Sequence, residues 1–264
     1  MRRALQCGLA DLIRTARKLP VIAYFTWSDT KARYIRSVLG PLWLVLGTLI
    51  GVVGLGVLWT SLFGLDPREY IPSLTIGLVV WQLIAGCLSE APGLLVRKAN
   101  LIKNIALPIS FFGLESICRQ SINFVHNWII VVGVLLVFPP DTSIPLAALS
   151  MLGLLLTLVN LFWICIVLAM VSARFRDLEP LITSVIPLLF FLSPVIFRAE
   201  QATFATAIVW CNPVTYAVNA IREPLLGHTP PASLYLVMCA AAIIGWIAML
   251  LLVGSRGKRV PYLV

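Results

Sequence analysis

Long uncharged stretches alternate with short charged ones along this chain. Residues 38–63, 144–171 and 233–253 carry no charged side chain, and turn-forming or charged residues bound each of them. A helix crosses the roughly 30 Å hydrocarbon core of a bilayer with about 20 apolar residues, so each stretch predicts a membrane span. Residues 71–91, with Glu90 alone near one end, predict another. Residues 109–138 are polar in their first third and apolar after Ser121, which predicts a span with a wet entrance. A sixth candidate, 181–197, is shorter, and Pro187 and Pro194 interrupt its hydrogen-bond ladder.

The segments between the spans have patterns of their own. Leu5, Leu9, Leu12, Ala16 and Leu19 recur at helical spacing while Asp11, Arg14, Arg17 and Lys18 take other positions, which predicts an amphipathic helix on the membrane surface. Ser28 or Asp29 can cap a second short helix carrying Lys31, Arg33 and Arg36, leading to Gly40-Pro41 and the first span. After the fifth span, 202–210 and 214–226 are too apolar for an exposed loop and too short to cross. The pair Asn212-Pro213 separates them, so they predict two short helices that dip into the membrane and return. Irregular backbone at that depth needs protein or a water-filled cavity around it. The expected fold is therefore an all-α integral membrane protein. It has six transmembrane helices, an N-terminal amphipathic interfacial helix and a short outer re-entrant helical hairpin at about 202–226. Residues 1–37 form cytoplasmic interfacial helices, 38–254 a single transmembrane domain and 255–264 a cytoplasmic tail.

Composition narrows the class further. With 60% hydrophobic and 12% charged residues and a mean hydropathy of +0.97, the chain is neither a soluble one-core enzyme nor a disordered polymer. Its 20 Lys and Arg against 11 Asp and Glu are explained by a bilayer and not by nucleic acid. All but four of those cations fall on the side that holds both ends of the chain; the exceptions are Arg68, Arg198 and Arg222 on the opposite side and Arg119 within a span. This asymmetry predicts a multi-pass protein with both termini cytoplasmic. The first apolar stretch, 19–27, has Pro20 near its start and no small-residue cleavage site after it, so no cleavable signal peptide is expected. The N-terminal basic cluster either anchors to anionic headgroups or only sets topology. Six scattered cysteines imply neither a disulfide framework nor a metal site.

Catalytic patterns are missing. The nearest approach to a phosphate-binding loop, residues 254–259, has the wrong spacing, so the chain is not expected to hydrolyse nucleotide. His126 and His228 lack nucleophile partners at motif spacing, and no catalytic or metal residue is assigned. The informative polar set is Glu115, Arg119, Asn123 and His126, which fall within about 80° of arc on one helix and must face protein or water. Two readings stay open: a structural pair locking this helix to a neighbour, and a polar strip lining a transport pathway. Trp59, Phe63, Trp81, Phe190, Phe191, Phe197, Trp210 and Tyr216 fall toward the outer halves of their segments. They are interface-belt residues, or some face a conduit where flat rings give weak, sliding contacts to sugars.

Taken in order, these features resemble the membrane permeases of type-2 ABC exporters that move bacterial polysaccharides. The resemblance covers nearly the whole chain. Arg33-Tyr34-Ile35-Arg36-Ser37-Val38-Leu39-Gly40-Pro41-Leu42-Trp43 looks like the family's approach to its first span. Arg174-Phe175-Arg176-Asp177-Leu178 resembles its fourth inner turn, and Phe191-Leu192-Ser193-Pro194-Val195 its broken fifth span. Asn212-Pro213-Val214-Thr215-Tyr216, with Arg222-Glu223 and Leu226-Gly227, looks like its outer re-entrant pair. Gly40-Pro41 looks more like the O-antigen branch than the capsule branch.

The resemblance implies a homodimer bound to two copies of a separate ABC ATPase, exporting a lipid-linked polysaccharide of O-antigen type across the bacterial inner membrane. ATP and Mg²⁺ then belong to the partner subunit, and no cofactor to this chain. Residues 97–107, with Arg97, Lys98, Asn100, Lys103 and Asn104, would be the coupling helix seated in the ATPase. Two alternatives share the composition: an exporter of a drug or small lipid with the same fold, and a membrane-embedded transferase acting on lipid-linked sugars. The second needs clustered carboxylates, whereas Asp66, Glu69, Asp141, Glu200 and Glu223 are dispersed.

Overall fold

The structure is a computed structural model and describes residues 1–35, 37–40, 42–198 and 206–264. Arg36, Pro41 and the beginning of the predicted hairpin at 202–205 lie outside the described residues, as does Glu200. Among the described residues the regular structure is helical throughout, with no strand.

Five helices are long and apolar enough to cross a membrane: α3 (Leu42–Phe63), α4 (Pro67–Glu90), α7 (Ile109–Val137), α8 (Ile144–Arg174) and α12 (Ala232–Arg256). They match the five strong hydrophobic stretches to within a few residues. Caps explain some of the boundaries. Asp66 accepts from the Arg68 N–H at 2.9 Å to start α4, next to Pro67 in its first turn, where a missing N–H costs nothing. Gly64, with φ 63°, makes the turn that precedes it.

The sixth stretch folds differently. Its helix α9 (Leu178–Leu192) holds Pro187 internally and ends before Pro194, so only 15 residues are helical. Residues 193–198 continue without regular helix. Trp81 of α4 tilts against Phe190, while Tyr70, about three turns nearer the start of α4, donates from its hydroxyl to the Ile196 carbonyl at 2.9 Å. The segment therefore goes on in the same direction after its helix stops. Gly77 makes this possible, because a Cβ there would collide with the Val195 carbonyl.

After residues 199–205, α10 (Thr206–Cys211) and α11 (Pro213–Leu225) are joined at Asn212, which is buried against Ser193, with Nδ2 to Oγ at 2.8 Å. Asn212 also caps α11, accepting from the Val214 N–H at 3.0 Å. From there α11 runs antiparallel to α8: Gly153 packs on Ala220, Ser150 donates to the Ile221 carbonyl and Thr142 to the Pro224 carbonyl. Apart from Pro213, Tyr216 and Glu223, every α11 residue up to Pro224 is buried.

The N-terminal region corrects the expected element boundaries. The first helix, α1 (Arg2–Ala16), meets the bundle through its small residues, with Leu12 half-buried against the core. Gly8 meets the Leu250 carbonyl and Gly254 of α12 meets Ala4, whereas Leu9 is 52% exposed. Close backbone approach decided the face, because only small residues let two helices come so near. The next helix, α2 (Leu19–Tyr34), runs straight through Ser28 and Asp29, so neither is a cap. Short helices α5 (Leu94–Arg97) and α6 (Ala99–Asn104) connect α4 to α7, and a 3₁₀ turn over Gly257–Tyr262 follows α12.

Both termini lie at one end of the bundle, the near end, with the turns at 91–108 and 175–177. The turns at 64–66, 138–143 and 226–231 form the far end. Central to the packing is α4, buried between α3, α7, α9 and α11. By contrast α9 has no fully buried residue and α3 only Thr48, Val52 and Gly56.

Candidate functional site: an ion network at the near end

The near end gathers charged side chains from four parts of the chain. Arg119 on α7 places Nη1 2.9 Å from Glu115 Oε1 one turn earlier and 3.2 Å from Asp29 Oδ2 on α2, and its Nη2 pairs with Glu90 at the end of α4. Lys98, between α5 and α6, closes the ring: its Nζ is 3.1 Å from Asp29 Oδ2 and 3.2 Å from Glu115 Oε1. Glu115 is 1% exposed, which is tolerable for a carboxylate only because two cations face it. Three carboxylates meet two cations, and the surplus charge is dispersed by hydrogen bonds to Glu90 from Ser116 Oγ (2.8 Å) and Gln120 Nε2 (3.1 Å). Burial pushes Asp29 up, but the hydrogen bond from Lys98 and the charges of Lys98 and Arg119 outweigh it and hold its carboxyl below the ordinary value.

The predicted stripe divides here. Glu115 and Arg119 enter the network; Asn123 reaches it only through Gln120, at 3.2 Å. His126 stands apart, with Nδ1 2.7 Å from the Ile122 carbonyl in its own helix. In its place Asn127 makes the next interhelical contact: the Thr48 hydroxyl of α3 donates to Asn127 Oδ1 at 2.7 Å and accepts from the Gln82 amide of α4 at 2.9 Å. Asp29, Glu90, Gln82 and Asn127 were not singled out as site residues by sequence reasoning. Glu90 carried a signal, as the lone charge of its stretch; Asp29 carried none, since a mid-helix Asp needs its partners to be interpretable.

The predicted coupling residues also divide. Lys98 points into the network and Arg97 pairs with Glu179 at the start of α9 at 2.9 Å, whereas Asn100, Lys103 and Asn104 are exposed. Behind them Ala91 to Leu95 and Ile102 are buried, so the segment is a bracket with an anchored base and a polar outer edge.

A second charged centre lies toward the far end. Arg222 on α11 is fully buried, and Nη1 donates to the Pro194 carbonyl at 2.7 Å and the Phe197 carbonyl at 3.4 Å. Its Nη2 donates to Asn219 Oδ1 at 2.8 Å and its Nε to Glu223 Oε1 at 3.1 Å. Counting Arg222 with the outer loops concealed this role.

The predicted aromatics fall into pairs. Trp59 stacks on Phe63 (4.8 Å between centroids), Trp81 tilts against Phe190 (5.5 Å), and Phe190 meets the exposed Phe191 edge-on. Trp210 and Tyr216 pack edge-on across the α10–α11 turn, with the Tyr216 hydroxyl donating to the Trp210 carbonyl at 2.9 Å. Phe197 is half-buried beside the Arg222 cluster. No metal-binding group of His, Cys, Asp and Glu occurs among the described residues.

Residues 21–226 match the family described as ABC-2 type transporter. The chain is similar to a protein named O-antigen export system permease RfbA from Klebsiella pneumoniae, 25% identical over 220 residues, which cover 79% of this chain and 81% of that one. A second Klebsiella pneumoniae protein of the same name is 25% identical over 77% of this chain and 79% of its own length. A Myxococcus xanthus protein, again so named, is 22% identical over 83% and 86%.

Proposed function

The chain belongs to the ABC-2 type transporter family, and we infer from this premise that it is the membrane-spanning subunit of an ATP-driven exporter of lipid-linked polysaccharide of the O-antigen type. The observation that carries the reading is the bracket at 91–108. A transporter subunit without a phosphate-binding loop must receive work from outside, and this bracket offers an exposed edge of Asn100, Lys103 and Asn104 on a base tied by Lys98 to α2 and α7. A push on the edge is delivered to the helices through ion pairs and buried apolar contacts.

On this reading the near end is cytoplasmic, the protein sits in the bacterial inner membrane, and two copies of an ABC ATPase carrying ATP and Mg²⁺ seat the bracket. Residues 178–198 complete a sixth crossing, and α10–α11 re-enters from the outer side. Residues 1–37, 38–254 and 255–264 act as interfacial segment, transmembrane domain and tail. The exposed apolar faces of α3 and α9 support a homodimer with the conduit between the copies. The exposed rings of Phe63 and Phe191, with Trp59 and Phe190 half-buried beside them, would offer it flat, weakly binding surfaces, whereas Trp81 is buried.

Deleting the gene tests this reading. Lipid-linked polymer of full length accumulates inside the cell if the chain exports it. Loss or shortening of the polymer instead means a transferase, and unchanged surface polymer means an exporter of something else.

A further inference from the structure

The near end carries a second charged feature, separate from the ion network. A cleft of about 790 Å³ opens between α1, α6, the start of α7 and the end of α12. Arg14, Arg17, Lys18, Lys103 and Lys258 line it, with Asp11 as the single carboxylate. Asp11 is already engaged: its two oxygens accept from the Ile109 and Ser110 N–H groups at 3.0 and 2.9 Å, at the N-terminus of the long helix α7. Among the described residues none of the five cations is in an ion pair. Five like charges round one concavity repel each other unless an anion sits among them.

We propose that this cleft binds the phosphate-bearing headgroup of an anionic phospholipid. Depth favours a lipid. The apolar run of α12 ends at Val253 and its cations begin at Arg256, so the cleft, lined by Val253 and Lys258, lies where hydrocarbon gives way to headgroups. Its apolar lining fits the same level: Ile102 and Val253 are buried and Leu107 half-buried, a surface for the glycerol backbone and first methylenes below a ring of cations. Around Arg14, Arg17 and Lys18, Leu9 and Ile13 of α1 and Leu19 at the start of α2 are exposed at 52%, 47% and 51%. Outward apolar side chains among cations suit a lipid interface and not a water-facing protein contact. The inference does not depend on what the transporter carries, only on its lying in a bilayer.

Cys7 lines the cleft and is exposed, so it reports occupancy. The full chain is reconstituted in phosphatidylcholine vesicles with and without one third phosphatidylglycerol. Maleimide addition at Cys7 is read by peptide mass mapping, with Ser255→Cys, exposed nearby but outside the cleft, as the depth control. Phosphatidylglycerol slows labelling of Cys7 by about fivefold and of the control by less than about twofold, and Arg14→Gln/Arg17→Gln/Lys258→Gln removes the difference. Equal slowing at both cysteines reduces the effect to surface pH and overturns the proposal. So does equal protection by free glycerol phosphate at the same phosphate concentration, which makes the cleft a small-anion site. Protection by the partner ATPase in phosphatidylcholine alone, with no effect of phosphatidylglycerol, overturns it in favour of a protein contact.

Discussion

Arg119 and Arg222 are both buried arginines in an apolar bundle, and they are satisfied in opposite ways. Arg119 lies within the unbroken helix α7, and its partners are side chains: three carboxylates from three helices accept from it. Arg222 lies where a helix has stopped, and the free carbonyls of Pro194 and Phe197 accept from it. One arginine joins separate helices by charge. The other repairs a break in the backbone, with Asn219 and Glu223 also accepting from it.

The largest expected effect follows from the second case. Arg222→Gln cannot reach both carbonyls and leaves them buried without a donor, which costs about 4 kcal/mol and should all but abolish monodisperse protein after detergent extraction. Arg222→Lys should recover little, because a single ammonium nitrogen cannot stand in at once for Nη1 at the carbonyls, Nη2 at Asn219 and Nε at Glu223. A full yield from the lysine variant would mean that charge alone matters there.

Next is Arg119. Removing it strands Glu90 and leaves Glu115 with Lys98 alone, and Arg119→Gln should cost about 3 kcal/mol. The sequence suggested a two-residue pair, for which Glu115→Gln/Arg119→Gln would recover. The structure has that pair within a larger network: Glu90 still lacks its cation in the double variant, so melting should recover only when Glu90→Gln is added. Recovery in the double variant would reduce the network to an isolated pair.

A smaller effect separates two neighbouring lysines. Lys98→Glu sets a third carboxylate beside Asp29 and Glu115 and should lower the melting temperature of the permease alone, by an amount equivalent to about 1–2 kcal/mol. Lys103→Glu, fully at the surface, should leave melting unchanged and weaken co-purification of the ATPase. Equal melting of the two variants would remove Lys98 from the network.

Smallest is the pH response of Asp29, whose side chain is 40% exposed. Its carboxyl lies below the ordinary 3.8, so its contribution is complete above that value and disappears as pH falls through the lowered one. The melting difference between wild type and Asp29→Asn should stay constant from neutral pH to about pH 5 and close below about pH 4. A difference that grew on acidification would reverse the sign assigned to its partners.

How far the sequence reached depended on the kind of information each feature needs. Five spans and their ends were legible because a bilayer demands about 20 apolar residues whatever surrounds them, and caps such as Asp66 and Asn212 act on their own backbone. The apolar pieces flanking Asn212-Pro213, and the breakdown of the sixth stretch near Pro194, were legible for the same local reason. What the sequence left open was partnership. Asp29 looked like a cap until α2 was seen to pass beside Lys98 and Arg119. The apolar periodicity of α1 pointed to the membrane surface, but not to the packing of Gly8 and Ala4 against Leu250 and Gly254 of α12. Arg222 looked like a loop cation until the carbonyls of a broken helix, 25 to 28 positions earlier, were found around it. Hydrophobic length and capping are properties of a segment, so the chain alone determines them. The satisfaction of a buried charge is a property of groups distant in sequence, and only the packed structure decides it.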